Sequence, residues 1–193
     1  MAPKKRNKKS AVRKVKIITA GDGAVGKTSL LVTYSCKRFP VVYTPTICDS
    51  FAENRIIDGQ EFFITFWDTA GQEGYERLRS LSYPETDCVL LCYSIDNKAS
   101  FYNIEKNWIA EIRHYCPDIP VILVATKVDQ REEDKLDKLI THSEGDLLAQ
   151  KLKLASFMEC SALKNEGVNE VITEAIKCIH KNTNRRKRKC SIL

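Results

Sequence analysis

The stretch Gly21–Thr28, with the sequence GDGAVGKT, constrains the fold more than any other part of the chain. It follows the apolar run Val15–Thr19, which predicts a buried strand, and it opens into a segment that predicts a helix from about Lys27. The pattern G-x-x-x-x-G-K-[ST] in this setting is typical of a phosphate-binding loop. Glycines let successive backbone N–H groups converge on phosphate oxygens, and the N-terminus of the following helix adds a favourable dipole.

Each position of this loop has an expected role. Lys27 is expected to contact the β- and γ-phosphates of a nucleotide, and the hydroxyl of Thr28 is expected to bind Mg²⁺. The residues expected to surround the phosphates are Gly23, Ala24, Val25, Gly26, Lys27, Thr28 and Ser29.

Strand-like and helix-like segments alternate along the chain. The predicted strands are Val15–Ala20, Phe51–Ile57, Glu61–Trp67, Cys88–Ile95, Pro120–Ala125 and Ser156–Cys160. Helices are predicted from about Lys27, over Ser100–Tyr115, from about Ser143 to Leu154, and over Val168–Lys181. The turn Asp58-Gly59 predicts a hairpin between the second and third strands. The pattern therefore predicts an α/β fold of the P-loop NTPase class, with a six-stranded, mostly parallel sheet, one antiparallel edge strand and helices on both faces.

The loop after the fifth predicted strand, Thr126–Asp129 (TKVD), indicates which base is bound. A carboxylate at Asp129 can accept hydrogen bonds from both N1–H and the exocyclic amine of guanine, whereas adenine would leave it unpaired. Lys127 is expected to lay its aliphatic stem along the base. After the last strand, the backbone of Ser161 and Ala162 is placed to contact the guanine O6, and we include Leu163 among the nucleotide-binding residues.

Two further loops contain residues suited to phosphate chemistry. In Trp67–Glu73 (WDTAGQE), Asp68 is expected to hold Mg²⁺ through water, Gly71 to offer its N–H to the γ-phosphate, and Gln72 to orient an attacking water. In Tyr43–Thr46 (YTPT), the hydroxyl of Thr46 is expected to complete the Mg²⁺ shell. The predicted catalytic residues are Gln72, Lys27 and Gly71.

Together these four loops resemble those of the Ras-superfamily small GTPases. The segment Arg77–Asp87, the Trp before Asp68 and the TKVD motif are similar to the Rho/Rac branch, and the likeness covers about Val15–His180. The resemblance implies a G domain that hydrolyses GTP and switches between GTP- and GDP-bound forms. It also implies that Phe39 packs edge-on against guanine, that Tyr43 lies over the phosphates, and that Thr46 and Gly71 sense the γ-phosphate.

The resemblance further implies a set of protein partners. These are guanine-nucleotide exchange factors, GTPase-activating proteins, a dissociation inhibitor and effectors, all contacting residues near 39–51 and 71–84, with the actin cytoskeleton as the output of a monomeric switch. Two positions and one segment depart from the Rho pattern. Cys48 replaces the usual Phe within the effector segment, and Ser50 replaces an Asn that certain bacterial toxins modify. The insert helix around Arg131–Ile140 is expected to be shortened.

Slow intrinsic hydrolysis is expected for this chain. Gly23 leaves room beside the γ-phosphate for Gln72 and for an arginine donated by an activating protein, because Thr44 stands where some GTPases carry their own arginine. An alternative is a GTP-loaded binding scaffold with negligible hydrolysis, although the presence of Gly23 and Gln72 argues against it. An ATP-using kinase or motor is disfavoured by Asp129.

Charge is distributed unevenly along the chain. Of the 31 Lys and Arg residues, eight lie in residues 1–16 and six in residues 181–193, where no acid occurs, so the remainder carries 17 basic against 25 acidic side chains. We therefore predict a basic arm (1–14), a G domain (15–181) and a polybasic tail (182–193), with no nucleic-acid binding by the folded domain. The arm is interpreted as a disordered solubilising segment, with lipid contact or a nuclear-import patch as alternatives.

The C-terminal tetrapeptide Cys190–Leu193 (CSIL) fits the prenylation pattern, and its final Leu favours geranylgeranyl on Cys190. One lipid chain anchors a protein only marginally, so the adjacent Arg185–Lys189 (RRKRK) is interpreted as the second membrane signal. The expected location is the cytosol and the cytoplasmic face of the plasma membrane. The eight scattered cysteines predict reduced thiols.

Overall fold

The computed structural model describes residues 12–40, 48–57, 59–72, 74–132 and 139–190. Its strands are β1 (Arg13–Ala20), β2 (Cys48–Ile57), β3 (Gln60–Thr69), β4 (Cys88–Ser94), β5 (Val121–Thr126) and β6 (Ser156–Glu159). Its helices are α1 (Lys27–Cys36), α2 (Glu76–Ser80), α3 (Lys98–Asn103), α4 (Ile109–Tyr115), α5 (His142–Lys151) and α6 (Val168–Cys190). A π-helical turn, Ile104–Trp108, joins α3 to α4, and a short 3₁₀ helix covers Val128–Glu132.

The six strands form one sheet in the order β2-β3-β1-β4-β5-β6. Only β2 is antiparallel; it pairs with β3 from Cys48 opposite Thr69 to Ile57 opposite Gln60. All other neighbouring pairs are parallel. The predicted fold class is therefore confirmed, including the hairpin at the edge of the sheet. Asp58 of the predicted turn lies outside the described residues, while Gly59 adopts φ 76°, which glycine tolerates.

Two hydrophobic clusters cover the two faces of the sheet because successive strand residues point to opposite sides. Ile17 belongs to the cluster that α1 and α6 cover, and Ile18 belongs to the cluster under α4 and α5. The strands β4 (CVLLCYS) and β5 (VILVAT) are buried along their whole length, as expected for central parallel strands.

The helices agree with the sequence except at their ends and in their short segments. The helix predicted over Ser100–Tyr115 begins at Lys98, after the Asn97 side chain accepts a 3.1 Å hydrogen bond from Ser100 N. The helix expected to end at Lys181 continues to Cys190. The short helix α2 and the 3₁₀ helix had no counterpart in the sequence analysis. Part of the expected insert, residues 133–138, lies outside the described residues.

Most cysteines in the described part of the chain are buried free thiols. Cys88, Cys92, Cys116, Cys160 and Cys178 are free and buried, whereas Cys36 is free and exposed. Among the described residues, no helix combines the length and apolar character needed to cross a membrane.

Candidate functional site

Four of the segments predicted to bind the nucleotide follow the carboxyl ends of β1, β3, β5 and β6, and the structure describes them wholly or in part. Carboxyl ends of parallel strands meet at one edge of a sheet, where ligands bind in open α/β folds. The segment Tyr43–Thr46 lies outside the described residues, so neither Tyr43 nor Thr46 is placed.

The loop between β1 and α1 is shaped by close backbone contacts. Gly21 has φ 127°, and a Cβ there would overlap the carbonyl oxygen of Cys92. Gly26, the residue before α1, has φ 95°, a left-handed conformation that L side chains rarely adopt. The first and sixth positions of the motif therefore require glycine for different reasons.

Lys27 lies inside the curve of this loop. Its side chain is 6% exposed, and its ammonium donates hydrogen bonds to the carbonyl oxygens of Gly21 (2.8 Å) and Asp22 (2.7 Å). Burial lowers the pKa of Lys27, and the nearby Cys92 and Asp68 oppose that effect. An ammonium has three donors, so this arrangement leaves one for an anion held by the loop.

Three oxygen-bearing side chains, those of Thr19, Thr28 and Asp68, meet beside the loop. The hydroxyl of Thr28 donates to Asp68 Oδ2 at 2.5 Å, and the hydroxyl of Thr19 donates to Asp68 Oδ1 at 2.8 Å. Asp68 is 4% exposed, so its charge is held in place by hydroxyl groups from β1 and α1. Hydroxyl and carboxylate oxygens suit a hard divalent cation such as Mg²⁺.

The loop after β3 packs directly on the phosphate-binding loop. A Cβ at Gly71 would overlap the backbone of Gly21 and Asp22. A Cβ at Gly23 would lie 3.4 Å from Gln72 Cγ. The structure therefore brings together Gly23, Gly71 and Gln72, three residues that the sequence analysis assigned to the γ-phosphate.

A cavity of about 150 Å³ lies where the guanine base was expected. Its lining includes Gly26, Ser29, Leu30, Phe39, Thr126, Lys127, Asp129, Gln130, Cys160, Ala162 and Leu163. Asp129 Oδ1 accepts a 2.5 Å hydrogen bond from Ser161 Oγ, which in turn accepts from Lys164 N at 3.0 Å. The hydroxyl of Ser161 thus fixes one oxygen of the Asp129 carboxylate at the wall of the cavity.

The residues 16–181 match the family model described as the Ras family. The chain is also 44% identical over 182 residues to the Ras-like GTP-binding protein RhoL of Drosophila melanogaster, which covers 94% of this chain and 95% of that protein. The chain belongs to the Ras family of small GTPases. Members of this family bind and hydrolyse GTP, and the chain is a Rho-like GTP-binding switch of this kind.

Sequence analysis of this GTPase missed a role for Asp22. Its carboxylate accepts hydrogen bonds from Asn103 Nδ2 at 2.7 Å and from the indole Nε1 of Trp108 at 2.6 Å. These partners are 81 and 86 residues away in the chain, and nothing near Asp22 signals them. The contact ties the phosphate-binding loop to the π-helical segment.

A second missed feature of the GTPase holds the segment after Gln72. Arg79 is 5% exposed and forms a two-pronged ion pair with Glu111, at 2.8 and 2.9 Å, while a third nitrogen donates to Ala70 O at 2.9 Å. Tyr83 Oη donates to the same Glu111 at 2.6 Å. The guanidinium also lies 4.6 Å from the ring centroid of Trp108. One indole therefore contacts both the phosphate-binding loop and α2.

Proposed function

We propose that this GTPase is a Rho-branch switch that binds GTP or GDP with Mg²⁺, hydrolyses GTP slowly unaided, and signals from a membrane surface. The support is the combination of the Rho-like motifs in the sequence with the 44% identity to a RhoL protein. The division into an arm, a G domain (15–181) and a polybasic tail belongs to the same proposal.

The proposed nucleotide site uses the residues described above together with two outside the described ranges. Its members are Gly23, Ala24, Val25, Gly26, Lys27, Thr28, Ser29, Phe39, Tyr43, Thr46, Gly71, Lys127, Asp129, Ser161, Ala162 and Leu163. The Thr28 hydroxyl and the Asp68 carboxylate, in contact at 2.5 Å, form a donor set suited to Mg²⁺, with Asp68 acting through water and Thr46 as a further ligand. The ion, when bound, would neutralise charge on the β- and γ-phosphate oxygens.

In the proposed mechanism, the chain's own residues position charge and water. Lys27 holds its ammonium towards the phosphates, Gly71 donates its N–H, and Gln72 orients the attacking water. The observation that carries this proposal is the 3.4 Å spacing between a Cβ built at Gly23 and Gln72 Cγ. A Cβ at Gly23 would already be in van der Waals contact with Gln72, so a larger side chain such as valine would displace the residue that must orient water.

Single-turnover hydrolysis of bound GTP tests the mechanism. We expect Gly23→Val and Gln72→Leu to retain GTP binding but to lose most of the acceleration by an activating protein, whose arginine is worth about 10³–10⁵ in rate. A Gln72→Leu variant that matched the wild type in the presence of that protein would overturn the role given to Gln72. Measurable unaided turnover by the wild type separates the switch from the alternative, a GTP-loaded scaffold.

Base selectivity is tested separately. Asp129→Ala removes the carboxylate expected to accept two guanine hydrogen bonds, so the preference for GTP over ATP should fall by at least about tenfold. The affinity is measured by competition with a fluorescent GDP analogue. An unchanged preference would place the base elsewhere.

The proposed protein partners are exchange factors, activating proteins, a dissociation inhibitor and effectors, contacting residues near 39–51 and 71–84. In the described part of that surface, Leu78 and Leu81 are exposed, 48% and 73% respectively, and such side chains suit a protein contact. Cys48 and Ser50 are proposed to give this GTPase an effector choice different from that of typical Rho proteins. Control of the actin cytoskeleton by a monomeric switch completes the proposal.

Membrane attachment is proposed through geranylgeranyl on Cys190, removal of Ser191–Leu193, and attraction of Arg185–Lys189 to anionic lipid. Localisation to the cytosol and the cytoplasmic face of the plasma membrane follows from such an anchor. Mass spectrometry of the protein from its native cells measures the modification. An unmodified C-terminal Leu193 would refute this part of the proposal.

A further inference from the structure

A large basic pocket lies at the edge of the sheet opposite the nucleotide site. It has a volume of about 620 Å³ and touches Val121 at the amino end of β5, whereas the base-binding loop begins at Thr126, the last residue of that strand. At about 3.3 Å per residue, the strand separates the two sites by roughly 17 Å. The pocket is therefore distinct from the site already described.

Four cationic side chains from three parts of the fold line this pocket. They are Arg113 from α4, Lys153 from the turn after α5, and Lys181 and Arg185 from α6. Asp118 is the one carboxylate among the described residues that line it. The pocket thus carries a formal charge of about +3, although the domain between the two tails is acidic.

These four cations differ from several basic side chains elsewhere on the surface, which are paired with carboxylates. Lys127, Arg131 and Lys151 form ion pairs with Asp96, Glu159 and Glu105, respectively. Within the described ranges, by contrast, Arg113, Lys153, Lys181 and Arg185 form no ion pair with any side chain. Converging cations without carboxylate partners repel one another, so an anion that bound among them would be stabilised.

Hydrogen bonds to backbone carbonyl oxygens hold two walls of the pocket in place. Asn182 Nδ2 donates to Asp118 O at 2.9 Å, which joins α6 to the loop before β5. Ala155 N donates to Val121 O at 2.8 Å, which joins the turn containing Lys153 to the same strand. Lys153, Lys181 and Arg185 are thus mounted on walls that hydrogen bonds connect to one another, a form of preorganisation that favours binding.

The course of α6 indicates where the anion comes from. The helix continues without a break from Arg185, at the pocket, to Cys190, a distance of about 8 Å along its axis at 1.5 Å per residue. The residues between them are Arg186, Lys187, Arg188 and Lys189, all basic. A surface that bound this segment would therefore lie close to Arg185 and the pocket that it lines.

We infer that the pocket binds the phosphorylated headgroup of an anionic lipid, so that the G domain itself, and not only its tail, contacts the membrane. The chemistry recognised is a multivalent phosphate, such as that of a phosphoinositide. The inference rests on the proposed membrane location for its setting, but not on lipidation of Cys190. It fixes the orientation of the switch, with the nucleotide edge directed away from the bilayer.

The test uses the full-length, unlipidated chain loaded with GDP. Vesicles of phosphatidylcholine containing phosphatidylinositol 4,5-bisphosphate are compared with vesicles in which phosphatidylserine supplies the same total charge. The variant Arg113→Gln/Lys153→Gln removes two charges from the pocket and leaves the tail intact. The matched control, Lys106→Gln/Lys177→Gln, removes two exposed charges that do not line the pocket.

We expect the pocket variant to bind phosphoinositide vesicles at least about tenfold more weakly than the wild type, because each basic residue near an anionic surface contributes appreciably to affinity. The control should change by less than about twofold, with GTP hydrolysis unchanged in both variants. Two results would overturn the proposal that the pocket binds lipid: equal losses of affinity in the two variants, or equal affinity of the wild type for phosphatidylserine and phosphoinositide vesicles. Either would indicate diffuse electrostatic attraction by the tail.

A third arm distinguishes the source of the phosphate. Calorimetric titration with soluble inositol 1,4,5-trisphosphate should show weaker binding than the vesicles, and the pocket variant should abolish it. Tight binding of the soluble headgroup together with no binding to vesicles would overturn the membrane assignment. Because the chain carries no lipid here, the outcome is independent of whether Cys190 is prenylated.

Discussion

The side chain of Tyr93 leaves a polar group unsatisfied in the core. Its hydroxyl is buried and has no hydrogen-bond partner among the described residues. An unpaired buried hydroxyl costs about 1–3 kcal/mol. We therefore expect Tyr93→Phe to leave the free energy of unfolding unchanged or to raise it by up to about 1 kcal/mol, measured by urea denaturation with GDP bound.

Tyr34 supplies the matched control for this substitution. Its hydroxyl accepts a 2.8 Å hydrogen bond from Arg55 Nε, so Tyr34→Phe removes a bond that is made. That change should lower the free energy of unfolding by about 1 kcal/mol. If Tyr93→Phe destabilised the GTPase as much as Tyr34→Phe, a partner for the Tyr93 hydroxyl would have to exist.

Individual site residues differ in how well their positions and contacts can be predicted from the sequence. Lys27 and Thr28 occupy defined positions of a local motif, and the geometry of such a loop is set by its own backbone, so their places were predicted. The contacts of Asp22 were not, because Trp108 reaches it through the tertiary fold. Tyr43 and Thr46, outside the described residues, stay predictions.

Among the secondary-structure elements, α2 depends on one buried ion pair. Arg79 is almost fully buried, and removing its partner would leave a charge without compensation, which costs about 3–5 kcal/mol. We expect Glu111→Gln to lower the free energy of unfolding by roughly 2–3 kcal/mol, since the amide can still accept one hydrogen bond. Hydrogen exchange should increase first in Glu76–Ser80.

The exposed pair of Lys151 with Glu105, at 2.7 Å, is the control for the buried one. Glu105→Gln should change stability by less than about 1 kcal/mol because surface ion pairs contribute little. Comparable effects of the Glu105 and Glu111 substitutions would contradict the role assigned to burial.

The ion pair between Arg79 and Glu111 should make the stability of the protein depend on pH in the acid range. Burial raises the pKa of Glu111, but hydrogen bonds from Arg79 and Tyr83 outweigh burial and hold it below its ordinary value of 4.5. The carboxylate therefore contributes its full stabilisation above that value, and the contribution is lost as the pH falls through the lower folded-state pKa. The stability difference between wild type and Glu111→Gln should be constant at neutral pH and shrink below about pH 4.5. A constant difference down to pH 3 would exclude this linkage.

Element prediction succeeded where a repeating apolar pattern existed and failed where none did. Within α6, apolar residues recur at the i, i+3, i+4 spacing of a helix, and all six are buried: Val168, Val171, Ile172, Ala175, Ile176 and Ile179. The extension of α6 beyond Lys181 carries no such stripe, and the five residues of α2 are too few to show one. The extension of α6 continues from the helix before it, and α2 is held by residues that pack on it. Local periodicity in the sequence contains neither kind of information.

At the scale of the whole molecule, the two ends of the parallel strands carry two different candidate binding sites. Loops at the carboxyl ends of β1, β3, β5 and β6 surround the proposed nucleotide site, and the amino end of β5 borders the basic pocket. The site at the carboxyl ends could be predicted from the sequence because each of its loops carries a recognisable motif. The basic pocket at the amino ends is lined by Arg113, Lys153 and Lys181, which are far apart in the sequence. Only the fold brings them together, so no local motif predicts the pocket.

A ligand that joins several loops stabilises the entire fold, because it binds the native state and not the unfolded chain. At 100 times its Kd, a guanine nucleotide with Mg²⁺ should add about 2.7 kcal/mol, and for a chain of this size Tm should rise by roughly 5–10 °C. Stripping the protein with EDTA should reverse the shift, and Asp68→Ala should abolish the part that depends on Mg²⁺. ATP at the same concentration is the control. An equal rise in Tm with ATP would show that the cavity beside Asp129 does not select the base. A rise with GDP and none with ATP would show that stabilisation of the fold requires recognition of guanine.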